Sequence, residues 1–167
     1  MIDPSNSGQV KAALAEYFAA RPDVGHATIA EGPAAIGRGS TSFIYGLRLS
    51  GDVLPGAWSR PLVLRVERDA GEAYAVKVRS EAAVQRFVTG AGYPALESLA
   101  TEDAATPLDL PFIVLPRVMG PTMFERIVAR PWQARALLRQ LAALHARLHR
   151  LPLDGCSLGY ERPSSQH

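Results

Sequence analysis

Scarcity sets the first limits on this chain. One cysteine, Cys156, stands in 167 residues, so an internal disulfide framework is excluded and a reducing, cytoplasmic setting is expected. Lysine is nearly missing, with 2 Lys against 16 Arg; that bias and the high alanine content fit a GC-rich bacterial genome. No apolar run approaches the ~18 residues that span a bilayer. The first residues also lack the basic-then-apolar order of a signal peptide. A membrane partner is therefore not expected. What is present argues for a packed core: 47% of residues are apolar and 20% charged. The length fits one domain, or one lobe plus part of another.

Missing motifs exclude several chemistries. No Gly-Lys-Ser/Thr follows the glycine-containing segment Ile36 to Ser42, so it is not a P-loop. It lacks the third glycine of a dinucleotide fingerprint and leads into a strand rather than a helix. His145 and His149 are one helical turn apart, the spacing of a metal pair, but their His-Ala-Arg-Leu-His run lacks the metalloprotease glutamate. No Ser–His–Asp arrangement can be argued from spacing. The net charge of +2 conceals an imbalance, −3 over residues 1–116 and +5 over residues 117–167. The basic end could favour anions. Its arginines have almost no aromatic interleaving, which points away from a nucleic-acid surface and towards a solvated helix face.

The order of elements follows from periodicity. Val10, Ala13, Leu14, Tyr17 and Phe18 share one helical face over Gly8 to Ala20, with Ser7 as cap and Pro22 as stop. Strands are predicted at Thr28–Ala30, Phe43–Tyr45, Leu47–Leu49 and Leu62–Val66, with turns at Gly32-Pro33, Gly51-Asp52 and Pro55-Gly56. The spacing leaves no room for crossover helices, so the pairing should be antiparallel. A helix over Ala73–Gly90 with Val76, Ala83, Val84, Phe87 and Val88 on its apolar face comes next. An extended piece at Leu96–Ala100, a hairpin loop at Thr101–Asp109 and a buried strand at Pro111–Leu115 follow, with Pro116 at the strand's end. The remainder is helical: Pro121–Ala129, then Pro131–Arg150 with an apolar seam at Leu137, Leu141, Leu144 and Leu148. The reading is an α+β fold, a five-stranded antiparallel sheet with one helix inserted after the third strand. Four parts are expected: a helix over 1–25, a sheet lobe over 26–118, a helical segment over 119–152 and a flexible tail over 153–167.

Two features could carry chemistry. Gly37, Arg38, Gly39, Ser40, Thr41 and Ser42 offer backbone amides and hydroxyls to an anion such as phosphate; an ordinary glycine-containing hairpin is the plain alternative. Arg65 interrupts an apolar strand and needs a partner or a ligand. Glu81, 16 residues on, is the natural partner, and the pair would hold a planar cation suited to phosphate oxygens. The alternative puts both in solvent.

In order and spacing, Gly-Arg-Gly-Ser-Thr-Ser, Leu-Val-Leu-Arg-Val-Glu, Ser-Glu-Ala-Ala-Val-Gln-Arg-Phe, Pro-Phe-Ile-Val-Leu-Pro-Arg-Val-Met-Gly and Leu-Ala-Ala-Leu-His-Ala-Arg-Leu-His resemble the aminoglycoside phosphotransferase-like family of kinase-fold enzymes, from about His26 to Pro152. The resemblance implies a protein-kinase-like N-lobe followed by helices that begin a truncated second lobe. By it, Gly37 to Ser42 would cover the triphosphate of ATP, Arg65 would take the strand lysine's place and Glu81 would anchor it. Leu115 to Val118 would form the hinge beside adenine. Pro116 has no N–H, so any adenine donor would fall to a neighbour such as Arg117. Lys77 is a substitute cation in principle, but it is too close in sequence to Glu81 to face it from a separate strand.

The chain departs from the family where phosphoryl transfer is performed. The family's catalytic loop places an aspartate after a His-Gly or similar pair, and a second acidic motif holds magnesium. The histidines here are 26, 145, 149 and 167, and no Asp-x-Asp occurs. The expectation is a phosphotransferase fragment, inactive alone, that binds nucleotide; Mg²⁺ and a small hydroxyl-bearing acceptor would require the missing second lobe. Two other readings remain open. One is a naturally short, non-catalytic nucleotide-binding or regulatory protein, dimeric or partnered through the Leu137–Leu148 face. The other is an interaction module that uses its Arg-rich helix on an anion or nucleic acid.

Overall fold

The computed structural model describes residues 2–38, 41–103 and 106–152, with the side chain of Arg38 outside the description. The expectations for Gly39, Ser40, Cys156 and the tail from residue 153 therefore lie outside the described residues. Helix α1 spans Ser7–Ala19 and buries the five residues expected of it. Its cap is Asn6 rather than Ser7: the Asn6 side chain accepts from the N–H groups of Gly8 and Gln9 at 3.0 and 3.2 Å. Ser7 is already helical. Asn6→Ala should cost about 1 kcal/mol and lower Tm by about 2–4 °C, readable in a thermal melt. An unchanged Tm would mean that this first turn contributes nothing to folding.

The sheet has the order β1-β2-β3-β5-β4, and each neighbouring pair is antiparallel. Its strands are β1 (Thr28–Arg38), β2 (Ser42–Ser50), β3 (Leu62–Glu67), β4 (Ala100–Glu102) and β5 (Phe112–Pro116). Gly32-Pro33 is not a turn between strands, as expected, but a register irregularity inside a longer β1. Gly32 has a φ of +81°, and a Cβ there would lie 2.5 Å from the Gly46 carbonyl oxygen, so only glycine fits. The segments predicted separately at Phe43 and Leu47 are one strand, β2. The fourth strand is also displaced from its expected place at Leu96–Ala100: pairing with β5 selects Ala100, Thr101 and Glu102. Leu108, assigned to a polar loop, is buried, as is Leu110 just beyond it.

Alternation decides what each face of the sheet does. Leu62, Leu64 and Val66 of β3, with Tyr45, Leu47, Phe112 and Val114, join Val10, Leu14 and Phe18 of α1 in one core behind the sheet. Tyr17 ties α1 to β4: its hydroxyl donates to Glu102 Oε1 at 2.6 Å, and Arg21 donates to the same hydroxyl. Burial, then the Glu102 carboxylate, holds the Tyr17 phenol well above its ordinary range. Arg21 also pairs with Asp23 at 2.6 Å, which draws the Asp23 carboxyl below the usual carboxylate range.

Helix α2 (Glu72–Gly90) crosses between β3 and β4 in sequence and packs on the other face. Its buried residues are Ala75, Val78, Ala82 and Val88; of the expected face Val88 is buried, Val76, Ala83 and Phe87 are half-buried and Val84 is exposed. Docking of Val78 and Ala82 on Ile113 sets the helix's rotation. Gly92, with φ of +75°, ends it: Gly92 N–H donates to Thr89 and Tyr93 N–H to Val88.

Beyond β5 come α3 (Met123–Ala129), a 3-10 turn at Pro131–Gln133 and α4 (Ala134–Leu148). Thr122 and Glu125 close a capping box at the start of α3. The backbone N–H of Thr122 is the main influence holding the Glu125 carboxyl below its ordinary range. No residue of α4 is buried: Leu137 and Leu141 are half-covered, while Leu144 and Leu148 are exposed. Arg147 reaches back to the carbonyl of Gly92 at the end of α2. Among the described residues no helix is long and apolar enough to cross a membrane. The whole is α+β, a five-stranded antiparallel sheet with one inserted helix, consistent with a kinase-like small lobe and continued by helices.

Candidate functional site

The face of the sheet turned away from α1 carries the polar side chains. On β3 it presents Val63, Arg65 and Glu67, in alternation with the three residues committed to the core. Cross-strand partners extend the same face: Ile44 and Ile113 stand opposite Arg65, and Gly46 and Leu115 stand opposite Val63. Ile44, Val63 and Leu115 are half-buried. Together they make an apolar floor, interrupted at Gly46 by the lack of a side chain.

Arg65 and Glu81 meet as the sequence suggests. Arg65 Nη1 donates to Glu81 Oε1 at 2.8 Å and Nη2 to Oε2 at 2.5 Å, a bidentate fork between β3 and α2. The Gln85 amide donates to Glu81 Oε1 at 3.2 Å from one turn further along α2. Side-chain exposures of 20% and 30% mean that the pair is neither dissolved in solvent nor sealed from it. The fork uses one hydrogen of each Nη atom and leaves the other available.

The second charged centre here was not legible in the sequence. Glu67, the last residue of β3, is fully buried. Its Oε2 accepts from Lys77 Nζ at 2.8 Å. Its Oε1 lies 3.5 Å from Arg65 Nε without hydrogen-bond geometry, so neither atom has a hydrogen-bond partner. A buried carboxylate is costly unless paired, and two cations flank this one. Lys77 does not face Glu81, as its sequence position indicated; one turn ahead of Glu81 on α2, it points to the end of β3. From there Lys77 Nζ also donates to Thr41 Oγ1 at 2.9 Å. Thr41 is pinned again through its carbonyl, which accepts the Arg68 N–H at 3.1 Å. The end of the glycine segment is thus fastened to both β3 and α2.

Gly37 and Arg38 close β1 and Ser42 opens β2. At the other end of the site, Leu115 and Pro116 close β5, and Val118 beyond them is exposed. The expectation for Arg117 needs correction. Its N–H, assigned to adenine because Pro116 has none, donates to the Pro61 carbonyl at 2.8 Å. That bond extends the β3–β5 ladder by one residue and uses up the donor. Its guanidinium instead crosses to Gly46, with Nη1 3.1 Å from where a Cβ at Gly46 would sit.

Among the described residues no group of three or more His, Cys, Asp or Glu side chains could hold an ion.

No curated protein matches the chain. A family model described as the phosphotransferase enzyme family matches residues 52–165. The match takes in β3, α2, β4, β5 and both later helices, including Arg65, Glu67, Lys77 and Glu81, but begins after the glycine segment and β2. It covers roughly two thirds of the sequence, and on that extent of match the chain belongs to the phosphotransferase enzyme family.

Proposed function

We propose that the chain binds a nucleoside triphosphate, ATP in the first instance, across the sheet face that carries Arg65. It would be the nucleotide-holding part of a kinase whose acceptor is a small hydroxyl-bearing molecule. The observation that carries this reading is the bidentate Arg65–Glu81 bridge on the face to which the glycine segment leads. Glu81 fixes the guanidinium plane, and the remaining N–H groups of Arg65 are then available to phosphate oxygens without reorganisation. Amides and hydroxyls of Gly37 to Ser42 would close over the triphosphate. The floor of Ile44, Val63 and Leu115 would take the base, with the Arg117 guanidinium against Gly46 placed to stack on it. Binding, not turnover, is the function assigned to these residues. Phosphoryl transfer also needs a base to orient the acceptor and neutralisation of charge on the leaving phosphates, and the residues of this site supply neither a base nor metal ligands.

The test is calorimetric titration of the full chain with sodium ATP in the absence of divalent cations, paired with thermal melts. At about 100 times Kd, ATP should add about 2.7 kcal/mol of stability, a rise in Tm of roughly 5–10 °C. If neither ATP nor GTP gives heat or raises Tm, the reading fails.

A further inference from the structure

Lys77 is one of only two lysines in a chain with 16 arginines, and it occupies a specific place. Its ammonium donates to the buried Glu67 and to Thr41 at the end of the glycine segment, yet its side chain is 42% exposed. Two of its three donors are engaged by described residues, and the third direction is open to a ligand. Glu67 also places it beside Arg65, because the two oxygens of one carboxylate face the two cations. Arg65, Lys77, Glu67 and Glu81 together are formally neutral, and of the four Glu67 is the most deeply enclosed and Lys77 the most exposed. An arriving polyanion would meet Lys77 first, as the more exposed of the two cations.

We propose that Lys77 is a second phosphate-binding cation of this site, and that Glu67 is its positioning residue. The inference rests on the nucleotide reading above and adds to it a group from α2. Arg65 offers a planar fork with both Nη atoms already bonded to Glu81. Lys77 offers a compact point charge that suits a phosphate oxygen from one direction. Glu67, enclosed by the fold, holds the ammonium at the sheet edge in the free chain. Thr41 relays the same contact to the glycine segment, so phosphate binding at Lys77 is coupled to where that segment begins β2.

The experiment measures ATP affinity of the full chain, without divalent cations, at several salt concentrations, for the wild type, Lys77→Met and Lys77→Arg. Loss of a charge-assisted contact should weaken ATP binding about tenfold in Lys77→Met. It should also flatten the dependence on salt, while Lys77→Arg keeps most of that dependence. Because Lys77→Met leaves Glu67 short of a partner, the double variant Glu67→Gln/Lys77→Met serves if the single one does not fold; the same weakening and flattening are expected. Unchanged ATP affinity in a folded variant overturns the proposal. So does weaker binding with the wild-type salt dependence, which would make Lys77 a tie for the glycine segment alone. If the wild type itself binds no ATP, the nucleotide reading falls and takes this inference with it, a result distinct from the other two.

Discussion

Replacing Arg65 by Ala should abolish measurable ATP binding and, separately, lower the stability of the free chain. The two effects have different origins. Without the guanidinium, the site loses the planar group that bridges β3 and α2 through a bidentate fork and presents spare donors on the open face. The stability loss arises because Glu81 and Glu67 each lose a cation. Removing one partner of a fully buried ion pair costs about 3–5 kcal/mol. Arg65 and Glu81 keep 20% and 30% of their side-chain surface in water, so solvent absorbs part of that, and about 2 kcal/mol is expected. That corresponds to a fall in Tm of about 4–8 °C, leaving a folded chain in which binding can still be assayed. The double variant Arg65→Ala/Glu81→Ala should recover part of the lost stability, since it removes one of the stranded carboxylates, and none of the binding. Wild-type ATP affinity in Arg65→Ala would remove the basis of the proposed function. A Tm loss in the double variant equal to the sum of the two single losses would show that the pair is not energetically coupled.

What the sequence made legible was local. The face of α1 could be assigned residue by residue, because a helix that covers one sheet obeys its own 3.6-residue period. Arg65 and Glu81 were identifiable because a charge in an apolar strand calls for a partner. The misses depended on how elements are rotated and registered against each other. The apolar residues of α2 allow more than one face; contact with Ile113 selects that of Val78 and Ala82. That same rotation carries Lys77 to Glu67 rather than towards Glu81. Glu67 reads as an ordinary polar residue at a strand end. Its full burial comes with its place in the sheet, in register with Ser42 of β2. The Arg117 donor was misassigned for a similar reason, since nothing in the sequence fixes the ladder between Pro61 and Arg117. The seam of α4 was correctly periodic, but periodicity does not say what covers a face, and within the described residues most of it stays open.

The largest loss of stability is expected at Phe18, behind the sheet rather than at the site. Phe18 is fully buried where α1 meets the rear face, edge-on to Tyr17 with ring centroids 5.2 Å apart and edge-on to Trp58 at 6.0 Å. Tyr17 in turn packs edge-on against Phe112 of β5 at 5.2 Å. Phe18→Ala therefore opens a cavity among rigid aromatic neighbours that cannot collapse into it cheaply, at a cost of about 3–5 kcal/mol. For a chain of this size the expected fall in Tm is about 10 °C or more, measured by calorimetry or near-ultraviolet circular dichroism. The consequence reaches the front of the sheet through β3. Leu62, Leu64 and Val66 lie in the core that Phe18 completes, and the residues alternating with them are Val63, Arg65 and Glu67. A chain that loosens α1 should thus lose ATP affinity near its lowered melting temperature, yet retain it well below, where β3 is still held. Phe18→Leu, which keeps most of the apolar volume, should recover more than half of the loss. A Tm within about 2 °C of wild type for Phe18→Ala would mean that α1 is an accessory to the sheet, not part of the unit that folds with it.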